Sequence, residues 1–284
     1  MAALMLVDGN YIVRTIYEAA SATDAGSPDL IYRVQLTIVD SLRRAVYDHR
    51  PTHALVAFDP GGTTWRHHLY GEYKSGRTPM NQALRSAFPD IQHALRDELG
   101  LASLTIPGVE ADDIIATAAR AWRGAGKDRC IVLARDKDLC QLVADGVHVR
   151  DHFGRQWRTE EWIANKFGVS SRLLTDFLAL QGDASDNIPG VAGIGPVTAA
   201  RLLTRYGSID AIYDNLGALP PADARKLAAG EASARLSRRL VTFQEGLTLG
   251  ISAADLRIGM AGSDIRDSDP STPSIPQQCR RMTV

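Results

Sequence analysis

The sequence predicts an α/β fold: a mostly parallel central sheet flanked by helices, followed by a smaller helical subdomain. Three observations carry this. Short, unbroken apolar runs at Ala3–Val7, His53–Phe58 and Cys130–Ala134 are separated by stretches of helical length. Such runs suit strands buried on both faces, as parallel strands are. Each run is followed within two residues by an aspartate, Asp8, Asp59 or Asp136. No strand pattern of note follows residue 150.

Taken in order, residues 3–7 form the first expected strand and 30–48 a helix. Ile31, Val34, Leu36, Ile38, Leu42 and Val46 make its apolar side. The 53–58 strand follows Pro51. From Gly61 to Pro79 the apolar periodicity lapses, and between residues 60 and 89 Arg66, Lys74, Arg77 and Arg85 face only Glu72. A basic, aromatic, Gly-containing insert at about 61–90 suits a nucleic-acid strand, with cations for phosphates and a ring for a base. A solvated loop is the alternative. A helix over 82–99, a strand near 103–106, a helix entered through Pro107-Gly108, and strands at 129–134 and 147–150 complete the sheet. Helical patterns at 160–167 and 171–181 open the second part. The expected division is 1–158, 159–258 and a tail over 259–284, which Ser, Asp and Pro mark as disordered by composition.

Ligands of open parallel sheets bind beyond the carboxyl ends of the strands. Asp8, Asp59, Asp136 and Asp138 are expected there, joined by Glu110, Asp112 and Asp113 at a helix start and by Asp183 and Asp186. Acids at a helix start also suit the helix dipole alone. Nine gathered carboxylates repel unless a cation holds them, and oxygen-only ligands select Mg²⁺ or Mn²⁺. Nine exceed the needs of one ion, which suits two-metal phosphoryl chemistry.

Composition agrees. Hydrophobic residues are 45% and charged residues 23% of 284, an ordinary soluble balance. The net charge of −1 does not exclude a nucleic acid, because setting nine of the 33 acids aside leaves 24 against 32 bases. No run is long enough to span a membrane, and Met1–Val7 lacks the basic start of a signal peptide. Cys130, Cys140 and Cys279 form no CxxC pair, so a reducing cytoplasm is expected.

In the second part, Gly190, Gly193 and Gly195 allow a tight hairpin, and Pro196 suits the first position of a helix. Backbone N–H groups there can hold phosphate without base preference. Arg201 and Arg205 lie one turn apart on that helix. A simple packing corner is the alternative.

The chain resembles the bacterial flap endonuclease and 5′-3′ exonuclease family, whose members occur alone or as the N-terminal module of DNA polymerase I. The motifs that carry the resemblance are Leu6-Val7-Asp8-Gly9-Asn10, Ala57-Phe58-Asp59, Trp65-Arg66-His67 with Tyr73-Lys74-Ser75-Gly76-Arg77, Val109-Glu110-Ala111-Asp112-Asp113, Ala134-Arg135-Asp136-Lys137-Asp138 and Gly182-Asp183-Ala184-Ser185-Asp186-Asn187. The resemblance runs from about Leu4 to Leu256 and implies a PIN-like nuclease core with a helix–hairpin–helix variant at about 183–206.

It also implies two Mg²⁺ ions, with Mn²⁺ as a substitute: Asp8, Asp59, Glu110, Asp112 and Asp113 nearer the first, Asp136, Asp138, Asp183 and Asp186 nearer the second. Lys74 and Arg77 are expected at the scissile phosphate and Tyr73 against a base near the cut. Arg66, Gly190, Gly193, Gly195 and Arg201 are expected to bind DNA, with K⁺ at the hairpin. Arg135 stands where the family usually has a small residue; an arginine so near the expected metals can pair with a carboxylate or a phosphate, and the sequence does not assign it a role. The implied partner is flapped, nicked or 5′-ended duplex DNA, with a functional link to a DNA polymerase and ligase. Two other readings stay open: a ribonuclease or RNA-primer-removing nuclease on the same fold, and a branched-DNA binder that does not cut.

Overall fold

The computed structural model describes residues 2–24, 26–127, 129–244 and 246–259. Apart from Gly259, the expected tail lies outside the described residues, as does Cys279. Strand β1 (Ala3–Asp8) runs straight into helix α1 (Gly9–Asp24), then α2 (Leu30–His49), β2 (His53–Phe58), α3 (Trp65–Leu69), α4 (Gln82–Ser86), α5 (Phe88–Leu99), β3 (Ala102–Thr105), α6 (Ala111–Gly124) and β4 (Arg129–Leu133). A 3₁₀ segment over Asp138–Asp145 leads to β5 (His148–Asp151) and β6 (Gln156–Arg158). The helical part follows: α7 (Glu160–Phe167), α8 (Leu174–Gln181), α9 (Pro196–Tyr206), α10 (Ile209–Asp214) and α11 (Pro221–Val241).

The sheet order is β3-β2-β1-β4-β5-β6, parallel throughout except for β6. Both faces are buried, and the pleat divides the apolar runs between them. Met5, Val7, Val56, Ile131 and Leu133 pack under α1, α2 and α5 against Ile12, Ile38, Leu42 and Leu95. Leu4, Leu6, Leu55 and Val132 face the other way, against Ile114, Ile115 and Trp122 of α6. A separate core built on Phe177, Leu178, Leu202, Leu203 and Leu227 holds the helical part.

One helix is new, and three expectations change. Helix α1 continues β1 without a loop, because Gly9 lets the chain turn over Phe58; a Cβ there would lie 2.5 Å from the ring. The expected 82–99 helix breaks at Ala87, where Pro89 starts a new helix with no need of a backbone donor. Leu36, expected on the buried side of α2, is 42% exposed. An antiparallel strand, β6, lies beyond residue 150. The segment after α11 also returns to the sheet: Ala54 N donates to Leu256 O at 2.8 Å, and Phe243 and Leu256 enter the α6-side core. Among the described residues no helix is long and apolar enough to cross a membrane.

Candidate active site

The parallel register sets the ends of three strands level. Asp8 pairs with Ala57, one residue before Phe58 and two before Asp59, and Val7 pairs with Leu133, three residues before Asp136. The N-terminus of α6 points at the same edge, with Glu110 as its N-cap and Asp112 in its first turn. Backbone donors aim some of these acids. Tyr11 N donates to Asp8 Oδ1 at 3.0 Å, Ala111 N to Asp59 Oδ1 at 2.8 Å and Asp138 N to Asp136 Oδ1 at 2.9 Å.

These acids are close enough to perturb one another. Burial, then the charges of Asp59 and Asp136, push Asp8 up to about 7. Burial and then Asp136, Asp8 and Asp59 raise Asp112 well above the ordinary aspartate range. Burial and Asp136 do the same to Asp138, whose Oδ1 is buried without a hydrogen-bond partner. Asp59 is also raised, by burial first. Groups in this state suit a divalent cation, which would restore their charge and fill the orphaned oxygen. They are gathered but not closed: among the described residues, no three Asp, Glu, His or Cys groups form a ready cage for an ion.

The remaining acids hold cations of the chain itself. Glu110 Oε1 accepts from Lys74 Nζ at 3.0 Å and Thr64 Oγ1 at 3.3 Å, while Oε2 accepts from Arg66 Nη1 and Tyr73 Oη, each at 3.0 Å. Burial opposes its charge, yet Lys74 and Arg66 hold Glu110 below the ordinary glutamate range. Asp186 is bound by Arg77, with Lys74 Nζ at 3.9 Å. Asp183 accepts from Lys137 Nζ at 2.5 Å and from Ser185. Lys137 sits between two aspartates of one motif, and its cationic type beside them was the available signal for it.

The insert is locked onto the 183–187 turn rather than free. Lys74 has φ +57° and Asn187 φ +55°, in the left-handed region that ordinary residues avoid. Lys74 N donates to Asp186 O at 2.9 Å, and Asn187 Nδ2 donates to Glu72 O at 2.8 Å. Backbone strain held by such long-range contacts is typical of functional positions. Burial works against the Lys74 charge, but Glu110, Asp186 and Asp59 keep it above the ordinary lysine range.

The structure corrects several assignments. Asp113 is fully buried. Its carboxylate takes a fork from Arg66, at 2.7 and 2.9 Å, together with Trp65 Nε1 at 2.9 Å and Gln244 N at 2.8 Å. It has no room left for a metal. Arg66 is 3% exposed and also donates to Leu240 O at 2.7 Å, so it is a core residue and not a DNA contact. Tyr73 is 4% exposed, with its hydroxyl on Glu110 and its ring edge against His67, which leaves no face for a base. Arg201, unlike these, is exposed on α9 and pairs with Asp223 at the surface, at 2.5 Å. Arg135 is exposed, and its charge reaches Asp151, a carboxylate that already holds Arg158.

The hairpin glycines divide. Gly190 is buried between Ser237 Oγ, which accepts from its N–H at 2.9 Å, and Ser233 Oγ, which donates to its carbonyl at 2.7 Å. Its φ is +61° and a Cβ would lie 2.4 Å from Gly182 N. Gly193 and Gly195 are exposed at the tip, and a Cβ on Gly195 would meet nothing within 4 Å. Gly190→Ala is therefore expected to lose about 2 kcal/mol or more of stability. Gly195→Val should keep its melting temperature and weaken duplex binding. Thermal melts and anisotropy titrations of both variants check this; a stable Gly190→Ala would sink the packing assignment.

Fold and site together define a nuclease, a phosphodiesterase with an acidic sheet edge beside Lys74, Arg77 and Lys137. The model of the 5′-3′ exonuclease N-terminal resolvase-like domain matches residues 3–168, and that of the 5′-3′ exonuclease C-terminal SAM fold matches 169–264. Flap endonuclease Xni of Pectobacterium carotovorum subsp. carotovorum (strain PC1) is 37% identical over 269 residues, 94% of this chain and 98% of that protein. Flap endonuclease Xni of Shewanella amazonensis (strain ATCC BAA-1098 / SB2B) is 37% identical over 90% of this chain and 98% of its own. The chain belongs to the 5′-3′ exonuclease family and is a structure-selective 5′ nuclease. A solved zinc-bound T5 5′-exonuclease shares the fold, with a TM-score of 0.70 at 24% identity over 84% of this chain and 89% of that one. The Rad2 catalytic core in complex with DNA shares it at a TM-score of 0.55 and 16% identity, over 87% of this chain and 79% of that one.

Proposed function

We propose that this nuclease cuts duplex DNA at 5′ flaps and 5′ ends, using Mg²⁺ held at the sheet edge, with Mn²⁺ as a substitute. The observation that carries the reading is the group Asp8, Asp59, Asp112, Asp136 and Asp138: half-buried acids that bond no Lys or Arg nitrogen within 3.5 Å, next to Lys74 and Arg77, with Asp8, Asp59, Asp112 and Asp138 raised by burial first and then by neighbouring acids. Asp8, Asp59, Asp112 and Asp136 would hold one ion. Asp138, with its orphaned oxygen, and Asp183 and Asp186 would hold a second once Lys137 and Arg77 turn to the substrate. Such ions, when bound, activate water and neutralise charge on the phosphate.

The chain's own groups do the rest. Lys74 and Arg77 lie at the acids and can shift to the scissile phosphate, where negative charge grows. Tyr73 and Thr64 orient Glu110 through their hydroxyls. The exposed Gly193–Gly195 tip offers backbone to a duplex phosphate. A cut that leaves a 5′-phosphate suits hand-over to a ligase after a polymerase has displaced the strand. The two buried thiols, Cys130 and Cys140, suit a reducing cytoplasm.

Labelled flap, nicked and RNA-primed duplexes, each with Mg²⁺ and with chelator, test the reading. The flapped DNA is expected to be cut only with the metal; cleavage that persists in chelator overturns it, and preference for the RNA-primed duplex selects the ribonuclease reading. Mg²⁺ should also raise the melting temperature, because it binds only the folded site. That rise should be larger at pH 8 than at pH 6. Asp8 carries a folded-state pKa of about 7, above its unfolded value, so protons already relieve the acids at the lower pH. An equal rise at both pH values would count against ions at these acids.

A K⁺ ion at the hairpin meets competition. Lys226 Nζ donates to the Gly193 carbonyl at 3.2 Å, so a tethered ammonium already supplies positive charge there. Exchanging K⁺ for Li⁺ at constant ionic strength is expected to leave duplex affinity unchanged, and Lys226→Met to weaken it several-fold. A parent protein whose affinity collapses in Li⁺ would restore the ion.

A further inference from the structure

Beside Glu110 lies a shallow groove of about 300 Å³, formed by Trp65, Arg238, Arg239, Thr242 and Phe243. That volume is at the low end of small-ligand sites, about 300–1,000 Å³. One side chain, Arg66, joins its Trp65 wall to Glu110. The Arg66 guanidinium is 3.0 Å from Glu110 Oε2 and lies over the Trp65 ring, 4.4 Å from its centre.

Both walls are pinned to one buried carboxylate. Trp65 Nε1 and Gln244 N donate to Asp113, while Arg66 holds Leu240 O and Asp113 together. The groove is thus preorganised, with Phe243, 3% exposed, as its floor and the half-buried Trp65 as one side. Its two cations differ. Arg238 is held by Asp176 and Asp210. Arg239 is exposed and has no ion pair among the described residues. An aromatic wall and an uncommitted guanidinium in one groove suit a base and the phosphate beside it. Stacking on a side chain needs an unpaired base, since neighbours cover both faces of a base within a duplex.

We propose that this groove binds the single-stranded 5′ arm of a flap, a base against Trp65 and a phosphate on Arg239. It would make the enzyme prefer flapped over merely nicked DNA. The proposal rests on the 5′-flap reading above, and its test is binding, so the two can fail separately.

Dissociation constants would be measured by anisotropy in Ca²⁺, for the parent, Trp65→Leu and Arg239→Gln. The substrates are a nicked duplex, the same duplex with an oligothymidine 5′ flap, and that flap annealed to its complement. The parent is expected to bind the single-stranded flap roughly tenfold more tightly than the nick, the scale of one stacked base. Annealing the flap should remove that gain. Trp65→Leu and Arg239→Gln should each lose most of it and bind the nick as the parent does. Trp65 also bonds Asp113, so Arg239→Gln, an exposed position, guards against a folding defect. The proposal is overturned if Arg239→Gln keeps the full gain, if annealing leaves the gain intact, or if the parent does not distinguish flap from nick. Variants that change no DNA affinity would leave the groove to another partner, such as an acidic peptide. Failure of the parent to cut a flap in Mg²⁺ would instead strike the 5′-flap reading and leave the binding result standing.

Discussion

Replacing Arg66 by alanine is expected to cost about 3–5 kcal/mol of stability, the usual penalty for leaving a buried carboxylate without its partner. Arg66 is 3% exposed and its guanidinium serves two acids and two carbonyls: Glu110, Asp113, Leu240 O and Thr242 O. Removing it strands Asp113, which is 0% exposed and keeps only Trp65 Nε1 and Gln244 N. Arg66→Lys should recover only part of the loss, because an ammonium cannot make the two-pronged contact. Asp113→Asn should likewise lower the melting temperature. If Asp113 were a metal ligand instead, Asp113→Asn would keep its melting temperature and lose cleavage. Urea unfolding of the three variants in chelator, where metal binding plays no part, separates the outcomes.

The second large effect concerns Lys74. Lys74→Met is expected to lower the single-turnover rate on a flap by about 10²–10³, the loss typical of one preorganised charge contact to the transition state. Methionine keeps the aliphatic stem that packs by Tyr73, where Nζ lies 4.9 Å from the ring centre, so the fold should hold. Affinity measured in Ca²⁺ should change less than about tenfold, since one phosphate contact among many is lost. A role as counter-ion to Glu110 alone predicts the reverse: a near-parent rate and altered Mg²⁺ affinity. Rate in saturating Mg²⁺ and affinity in Ca²⁺ on one substrate decide the matter.

Much of the site was legible in the chain. The apolar runs followed by Asp8, Asp59 and Asp136 set three strands, and parallel pairing brought their ends to one edge. Pro107-Gly108 marked the start of α6, and the lapse of periodicity after Gly61 marked the insert. These are local signals, and a period or a turn residue records them within a few positions.

What local pattern could not sort was the use of each charge. Glu110, Asp112 and Asp113 read alike along the chain, yet one caps the helix under four donors, one faces the other acids and one is sealed in the core. Tyr73 and Arg66 looked like contacts for a nucleic acid and turned out to be buried. β6 was missed because three residues give too short an alternation to register. The chain by itself determined the parallel sheet, its acidic edge, the basic insert and the glycine hairpin. Tertiary structure alone decided which acids meet a cation of the chain and which do not. Those pairings join residues 47 and 174 positions apart, as from Arg66 to Asp113 and to Leu240. Burial and desolvation, which set the worth of each charge, exist only once such distant segments close on one another.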